Sequence, residues 1–246
     1  MNNIEIEKQR NKYMKRTTII NGLTDKIIVY FNNFKTCNKI DKNIRHKLNN
    51  EATKETEIRL RNLFPTTTTI SDGECNETLN SIWKSNILSN APIQEYHWFK
   101  RVINLVENLP ICITISSAKK EYFGFPLVYV NNQFEKTTEY NKSEILGQNC
   151  KFLQPREPIE EEIPQHILLC KSIREASSTS VIITNIKKSG KPFFNLLSFK
   201  PVFDTEGNYI YCMGIQTEII NEDIGETSAQ NIIDVLNILS NIDITP

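Results

Sequence analysis

Between Gln94 and Leu109 the apolar residues Phe99, Val102, Ile103 and Val106 recur at i, i+3, i+4 and i+7, the repeat of one buried helix face. Pro110 closes the pattern, because its ring removes a backbone donor and crowds the preceding turn. From Ile111 the period changes to that of strands. Ile111–Ile115 and Pro126–Val130 are short β-branched runs, and 131–144 and 163–173 read as helical pieces. Thr179–Ile186, Pro192–Val202 and Asn208–Thr217 are longer strands, joined by the turn sequences Lys187-Lys-Ser-Gly and Asp204-Thr-Glu-Gly-Asn. Two strands, a helical crossing and a three-strand meander predict an α+β fold. Its natural packing is a five-stranded antiparallel sheet with helices gathered on one face, a shell suited to a flat ligand.

After Glu218 a polar spacer leads to a helix over Thr227–Ser240, in which Ile232, Val235, Leu236 and Leu239 again share one face. A helix this short is marginal alone, so its stripe is expected to dock on the adjacent sheet. The chain thus divides into an N-terminal region over 1–90, a flanking amphipathic helix over 94–110, a sensor-like domain over 111–219 and a C-terminal amphipathic helix over 226–241. Region 1–90 is rich in Asn, Lys and Thr, with an apolar cluster in Thr18–Phe34 and a charged helical pattern over Glu51–Phe64. It is expected to be helical or partly disordered, and its role is not legible.

Composition narrows the function. Lys plus Arg and Asp plus Glu each number 29, so net charge supplies no attraction to nucleic acid or an anionic membrane. No apolar run reaches bilayer length, and Met1–Arg16 lacks the core of a signal peptide. The six cysteines are widely spaced without a C-x-x-C pair. That argues against zinc and a disulfide framework, and points to free thiols in a reducing cytoplasm. His46, His97 and His166 are scattered, and Ser189-Gly-Lys lacks the upstream glycine of a phosphate loop. No nucleophile–base pair or metal cluster suggests an enzyme.

The informative string is Gly147-Gln-Asn-Cys-Lys-Phe-Leu-Gln154, with Tyr129-Val-Asn-Asn-Gln-Phe-Glu-Lys-Thr-Thr-Glu-Tyr140 before it. Lys188-Ser-Gly-Lys-Pro-Phe-Phe-Asn-Leu197 and Tyr211-Cys-Met-Gly-Ile-Gln216 follow it. In this order and spacing the four segments resemble the LOV (light-oxygen-voltage) family, the blue-light-sensing branch of the PAS fold. The resemblance implies a non-covalently held flavin, FMN first, with riboflavin or FAD as alternatives. It implies Cys150 as a photoreactive thiol that bonds reversibly to flavin C4a while N5 gains a proton. Asn149, Gln154, Asn185, Asn195 and Gln216 match the positions that serve the polar ring edge, and an amide suits that role because it offers both a donor and an acceptor. Thr114, Phe134, Leu153, Ile183 and Leu197 match its walls.

Lys151 stands where the family carries an arginine, so phosphate is met by a point charge and not a bidentate fork. Arg156, Lys171 and Arg174 are candidates for the second phosphate cation, and Phe125 replaces the family's Asn before the second strand's proline. The expected function is a blue-light photoreceptor that signals through its flanking helices, to a protein partner or a second copy. Two alternatives are a flavin redox sensor, which would survive loss of Cys150, and a PAS interaction module without chromophore. The second would leave the amide set costly to bury.

Overall fold

A computed structural model describes residues 55–68, 70–83, 88, 90–219, 230–235, 238–239 and 244. The Thr18–Phe34 cluster and the start of the Glu51–Phe64 pattern lie outside them. Residues 55–63 are helical, followed by α1 (Asp72–Trp83) and α2 (Ile93–Val106). Then come β1 (Cys112–Ser117), β2 (Leu127–Val130), α3 (Asn132–Thr138) and α4 (Lys142–Ile145). Two 3-10 turns, Cys150–Leu153 and Glu160–Glu162, precede α5 (Ile163–Arg174), and β3 (Thr179–Ile186), β4 (Pro192–Phe203) and β5 (Tyr209–Ile219) complete the sheet. Residues 230–235 and 238–239 are helical.

All strand pairs are antiparallel, in the order β2-β1-β5-β4-β3. The first strand and the last are therefore neighbours at the centre. Alternation assigns the two faces. Ile113, Ile115, Ile182, Leu196, Tyr211, Met213 and Ile215 belong to one core with Trp98, Phe99, Val102, Ile103 and Val106 of α2. The same core takes in Leu60, Cys75 and Leu79 on the N-terminal side and Ile232, Val235, Ile238 and Leu239 on the C-terminal side. The opposite face carries α3, α4, the 3-10 turns and α5, with Cys112, Leu127, Phe134, Ile145 and Leu153 in one cluster and Leu169, Val181, Ile183 and Phe199 in another. Helices thus cover both faces, the segments outside the sensor-like domain taking the second.

Short polar side chains set the joints. Asn131, fully buried, caps α3 by accepting from Phe134 N at 3.2 Å. It also accepts from Ile113 N at 2.9 Å and donates to the carbonyls of Val106 and Ile111, both at 2.9 Å. One amide therefore fixes the end of α2, the start of β1 and the start of α3. Asn141 and Glu144 form a capping box on α4. At the sheet edge Glu162 accepts from Thr184 N at 2.7 Å and Thr184 Oγ1 at 2.5 Å, filling an edge-strand donor that would otherwise invite pairing.

Candidate functional site

The string 147–154 folds as a turn and a 3-10 helix. Gly147 has φ +85°, which suits a residue without Cβ. Asn149 caps the turn: its Oδ1 accepts from Lys151 N at 2.9 Å and its Nδ2 donates to the Gly124 carbonyl. Both polar atoms of that amide are thus bound to backbone. Asn149 ties the Cys150 turn to the loop before β2.

Cys150 packs beside Cys112, Leu127, Val130, Phe134, Ile145 and Leu153. The residue retains intermediate exposure within this cluster. Burial pushes the thiol up to about 12, and the group is a neutral S–H at every physiological pH. The expected consequence is slow alkylation by iodoacetamide at pH 8, at least about a hundredfold slower than an ordinary cysteine, with a rate that keeps rising about tenfold per pH unit up to about pH 10. An ordinary cysteine levels off above about pH 9, and such a plateau at Cys150 would contradict its placement.

The far wall is the inward face of the sheet. Asn195 Nδ2 donates to Asn185 Oδ1 at 2.8 Å and to Gln216 Oε1 at 2.7 Å, and Asn185 Nδ2 reaches the Leu153 carbonyl at 3.2 Å. One row of amides therefore crosses β3, β4 and β5 and ends on the turn that carries Cys150. Strand register explains the row, because Ile183 faces Asn195 and Leu197 faces Gln216 across the ladder. Thr114 pairs with Gly214 and Cys112 with Gln216 on the same face. A Cβ on Gly214 would lie 2.5 Å from Thr114 Oγ1 and 3.6 Å from Leu197 Cδ1. Here glycine is required by close approach, since its φ is not in the left-handed range.

A cavity of about 580 Å³ opens between the Cys150 turn and α5. Lys151, Gln154, His166, Cys170, Lys171 and Arg174 line it, with Ile163 and Ile167. Lys151, Lys171 and Arg174 are exposed. Arg156, also proposed from sequence, is not among the lining residues. Pro155, Pro158 and Glu175 complete the lining, so three basic residues and one acidic residue share an otherwise largely apolar trough.

The sequence-derived positions thus fall into four groups. Cys150, Leu153 and Phe134 form one wall, Thr114, Ile183, Asn185, Asn195, Leu197 and Gln216 lie on the sheet, Lys151 and Gln154 stand at the cationic cavity, and Asn149, expected at the polar ring edge, has both polar atoms on backbone partners. Sequence reasoning marked Phe125 only as a departure from the family and missed Tyr209 and Cys212; all three join the cluster of Ile183 and Leu197. Phe125 has φ +53°, an unusual conformation for a bulky side chain, and its ring lies 6.2 Å from that of Tyr209. Nothing local marks Tyr209. Ile163, Ile167, Lys171 and Arg174 were legible as one helix face by their spacing.

The sequence profile of the PAS domain family matches residues 110–220. A protein named blue-light photoreceptor from Listeria innocua is 35% identical over 97 residues, 39% of this chain and 37% of that protein. Phototropin-2 of Oryza sativa subsp. japonica is 30% identical over 138 residues, 49% of this chain and 15% of that protein. The chain therefore spans less than two fifths of either relative's length. A solved LOV domain from the blue-light activated histidine kinase EL346 of Erythrobacter litoralis is 32% identical, with a TM-score of 0.41, over 46% of this chain and 99% of that one. Residues 110–220 thus match the PAS domain family, and the chain is similar in sequence to a protein named as a blue-light photoreceptor and to a phototropin.

Proposed function

We propose that this domain holds a flavin between its inward sheet face and the Cys150 turn, and that the chain is a blue-light switch operated by Cys150. The observation that carries the reading is the placement of a neutral thiol of intermediate exposure on a turn joined through the Leu153 carbonyl to a buried amide row. The fit to a flavin follows from the donor set. Asn185, Asn195 and Gln216 are 3%, 2% and 6% exposed. Among the described residues no hydrogen bond engages Asn195 Oδ1 or Gln216 Nε2. An acceptor and a donor are thus open on one edge, flanked by the aliphatic Ile183 and Leu197. A ring with a polar edge and apolar faces satisfies both.

When bound, a flavin supplies a blue-absorbing ring whose excited state accepts a thiol at carbon C4a and a proton at N5. Cys150 provides that thiol, and as a neutral S–H it brings its own proton. Gln216 answers a change from acceptor to donor at its partner by turning its amide, which breaks or re-forms the bond to Asn195. Leaving one of these buried groups unpaired costs about 1–3 kcal/mol. That disturbance arises on β5, whose opposite face packs in the core shared with α2 and the C-terminal helical residues.

For the flavin side chain, Lys151, Lys171 and Arg174 are the cations that meet a phosphate at the cavity rim. Replacing Lys171 and Arg174 together by glutamine is expected to weaken FMN at least tenfold and riboflavin less than threefold, read by fluorescence titration. Equal losses would remove these residues from the phosphate site. The reading as a whole is tested by visible absorption of the purified chain before and after a blue flash. A flavin band that bleaches and recovers in the dark supports it; a bound flavin with no bleaching favours the redox sensor.

A further inference from the structure

One side of α5 carries a stripe of chemistry at steps of four residues. Glu162 stands at its start, and His166, Cys170 and Arg174 follow, the spacing that stacks side chains on one helix face. His166, Cys170 and Arg174 all line the cavity beside the Cys150 turn, together with Lys151 and Lys171. Glu162 is not among the lining residues. Its carboxylate accepts from Thr184 N at 2.7 Å and from Thr184 Oγ1 at 2.5 Å, and both donors are neutral. A buried carboxylate gains from a cationic neighbour. The His166 imidazole can supply one, since its Nε2 lies 4.0 Å from Glu162 Oε2.

Histidine is the side chain whose charge ordinarily changes between about pH 5 and 8. The charged and titratable groups around His166 are of both signs. On its own helix Cys170, Lys171 and Arg174 share the cavity lining with Glu175, and Lys151 enters it from the Cys150 turn. The second 3-10 turn brings Glu162, with Glu160 and Glu161 exposed beside it. From β3 the contact with Glu162 comes from Thr184, which carries no charge. Lys151, Lys171 and Arg174 oppose a further positive charge on the ring, and Glu162 favours it. A phosphate in the cavity tips that balance, because it offsets the fixed cations and adds a second anion beside the ring.

We propose that His166 is a conditional phosphate contact: protonated, it joins Lys151, Lys171 and Arg174 in holding a phosphorylated flavin side chain, and neutral, it does not. The proposal deepens the flavin reading and rests on it, although the chemistry is that of any phosphate monoester in this cavity. One added charge at a partly exposed site is worth about three- to tenfold in affinity. By linkage, phosphate raises the proton affinity of His166 by the same factor, about half to one pH unit. The ligand's own titration acts in the opposite sense. A phosphate monoester sheds its second proton near about pH 6, which by itself strengthens its attraction to fixed cations as pH rises. Protonation of His166 strengthens the grip as pH falls. Riboflavin has no phosphate and feels neither effect.

The experiment titrates FMN and riboflavin into the full chain in the dark at pH 6.5 and 8, with wild type, His166→Gln and His166→Lys, and follows the His166 ring resonances by NMR through neutral pH. The ratio of wild-type to His166→Gln affinity for FMN is expected at about two- to fivefold at pH 6.5 and below about 1.5-fold at pH 8. For riboflavin it is expected to stay near one. His166→Lys is expected to hold FMN at pH 8 as tightly as wild type does at pH 6.5, a restored charge that a merely structural histidine would not explain. FMN is expected to raise the His166 titration midpoint by about half to one pH unit over riboflavin. An FMN ratio that stays constant with pH, or a midpoint that FMN leaves unmoved, would overturn the proposal, and the wild-type resonance decides this even if a variant fails to fold. If neither flavin binds, the flavin reading fails instead. Inorganic phosphate, against chloride at equal ionic strength, then puts the same question to the His166 resonance: a raised midpoint supports the phosphate contact and an unmoved one overturns it.

Discussion

Replacing Cys150 by alanine is expected to abolish the dark-reversible bleaching of the flavin band completely while leaving flavin affinity within about threefold. The two effects separate because the thiol and the grip on the ring come from different elements. Cys150 sits on the 3-10 turn, whereas Asn185, Asn195 and Gln216 hold one another across β3, β4 and β5. Removing one sulfur leaves a void about the size of a methyl group beside Phe134 and Leu153, costing on the order of 1 kcal/mol. Neither of the two thiols on the inward sheet face replaces it. Cys112 donates to the Gln133 carbonyl at 3.6 Å and burial pushes it up to about 12, while Cys212 lies in the cluster of Ile183, Leu169 and Phe199. Absorption before and after a flash, with a flavin titration of the same variant, checks both halves. Residual reversible bleaching in the alanine variant would move the chemistry to another residue.

Gly214→Ala is expected to weaken flavin binding ten- to a hundredfold and lower stability by about 1–3 kcal/mol, the usual range for overpacking a tight site. The new Cβ would meet Thr114 Oγ1 at 2.5 Å. Both atoms lie at the centre of the sheet, where β5 is paired on each side by β1 and β4, so the backbone has little freedom to retreat. The side chain that can yield is Thr114, and in turning it would disturb Leu197 and Gln216, the other near neighbours of that Cβ. Thr114→Ala removes the obstructing oxygen, so the double variant is expected to recover most of the lost affinity. A double-mutant cycle by fluorescence titration and thermal melting checks this. Additive losses would show that the crowding at Gly214 has another source.

Much of the domain was legible because its determinants are local. Period-two runs bounded by glycine turns mark β3, β4 and β5 within one or two residues of their observed ends, since a strand needs only alternation and a turn to be recognised. Gly147–Gln154 was legible as a unit because it forms one turn. What could not be read involves pairs far apart in the chain. Asn149 carries no sign that both its polar atoms are taken by Lys151 N and the Gly124 carbonyl. Lys171 and Arg174 looked equivalent to Arg156 until α5 placed the first two at the cavity. The helical repeat over 94–109 says nothing of Glu95 and Glu107, and only folding brings Tyr211 and Tyr129 beneath them.

The amino-acid sequence by itself determined the strand and helix order and the antiparallel sheet, and singled out Cys150 as the thiol proposed to react, because periodicity, turn chemistry and a contiguous motif act over a few residues. Tertiary structure alone decided which amides form one row, which cations share a cavity and which phenols meet the carboxylates of Glu95 and Glu107. Those are outcomes of strand register and of burying charge, and in both a residue's role depends on what the rest of the chain places opposite it.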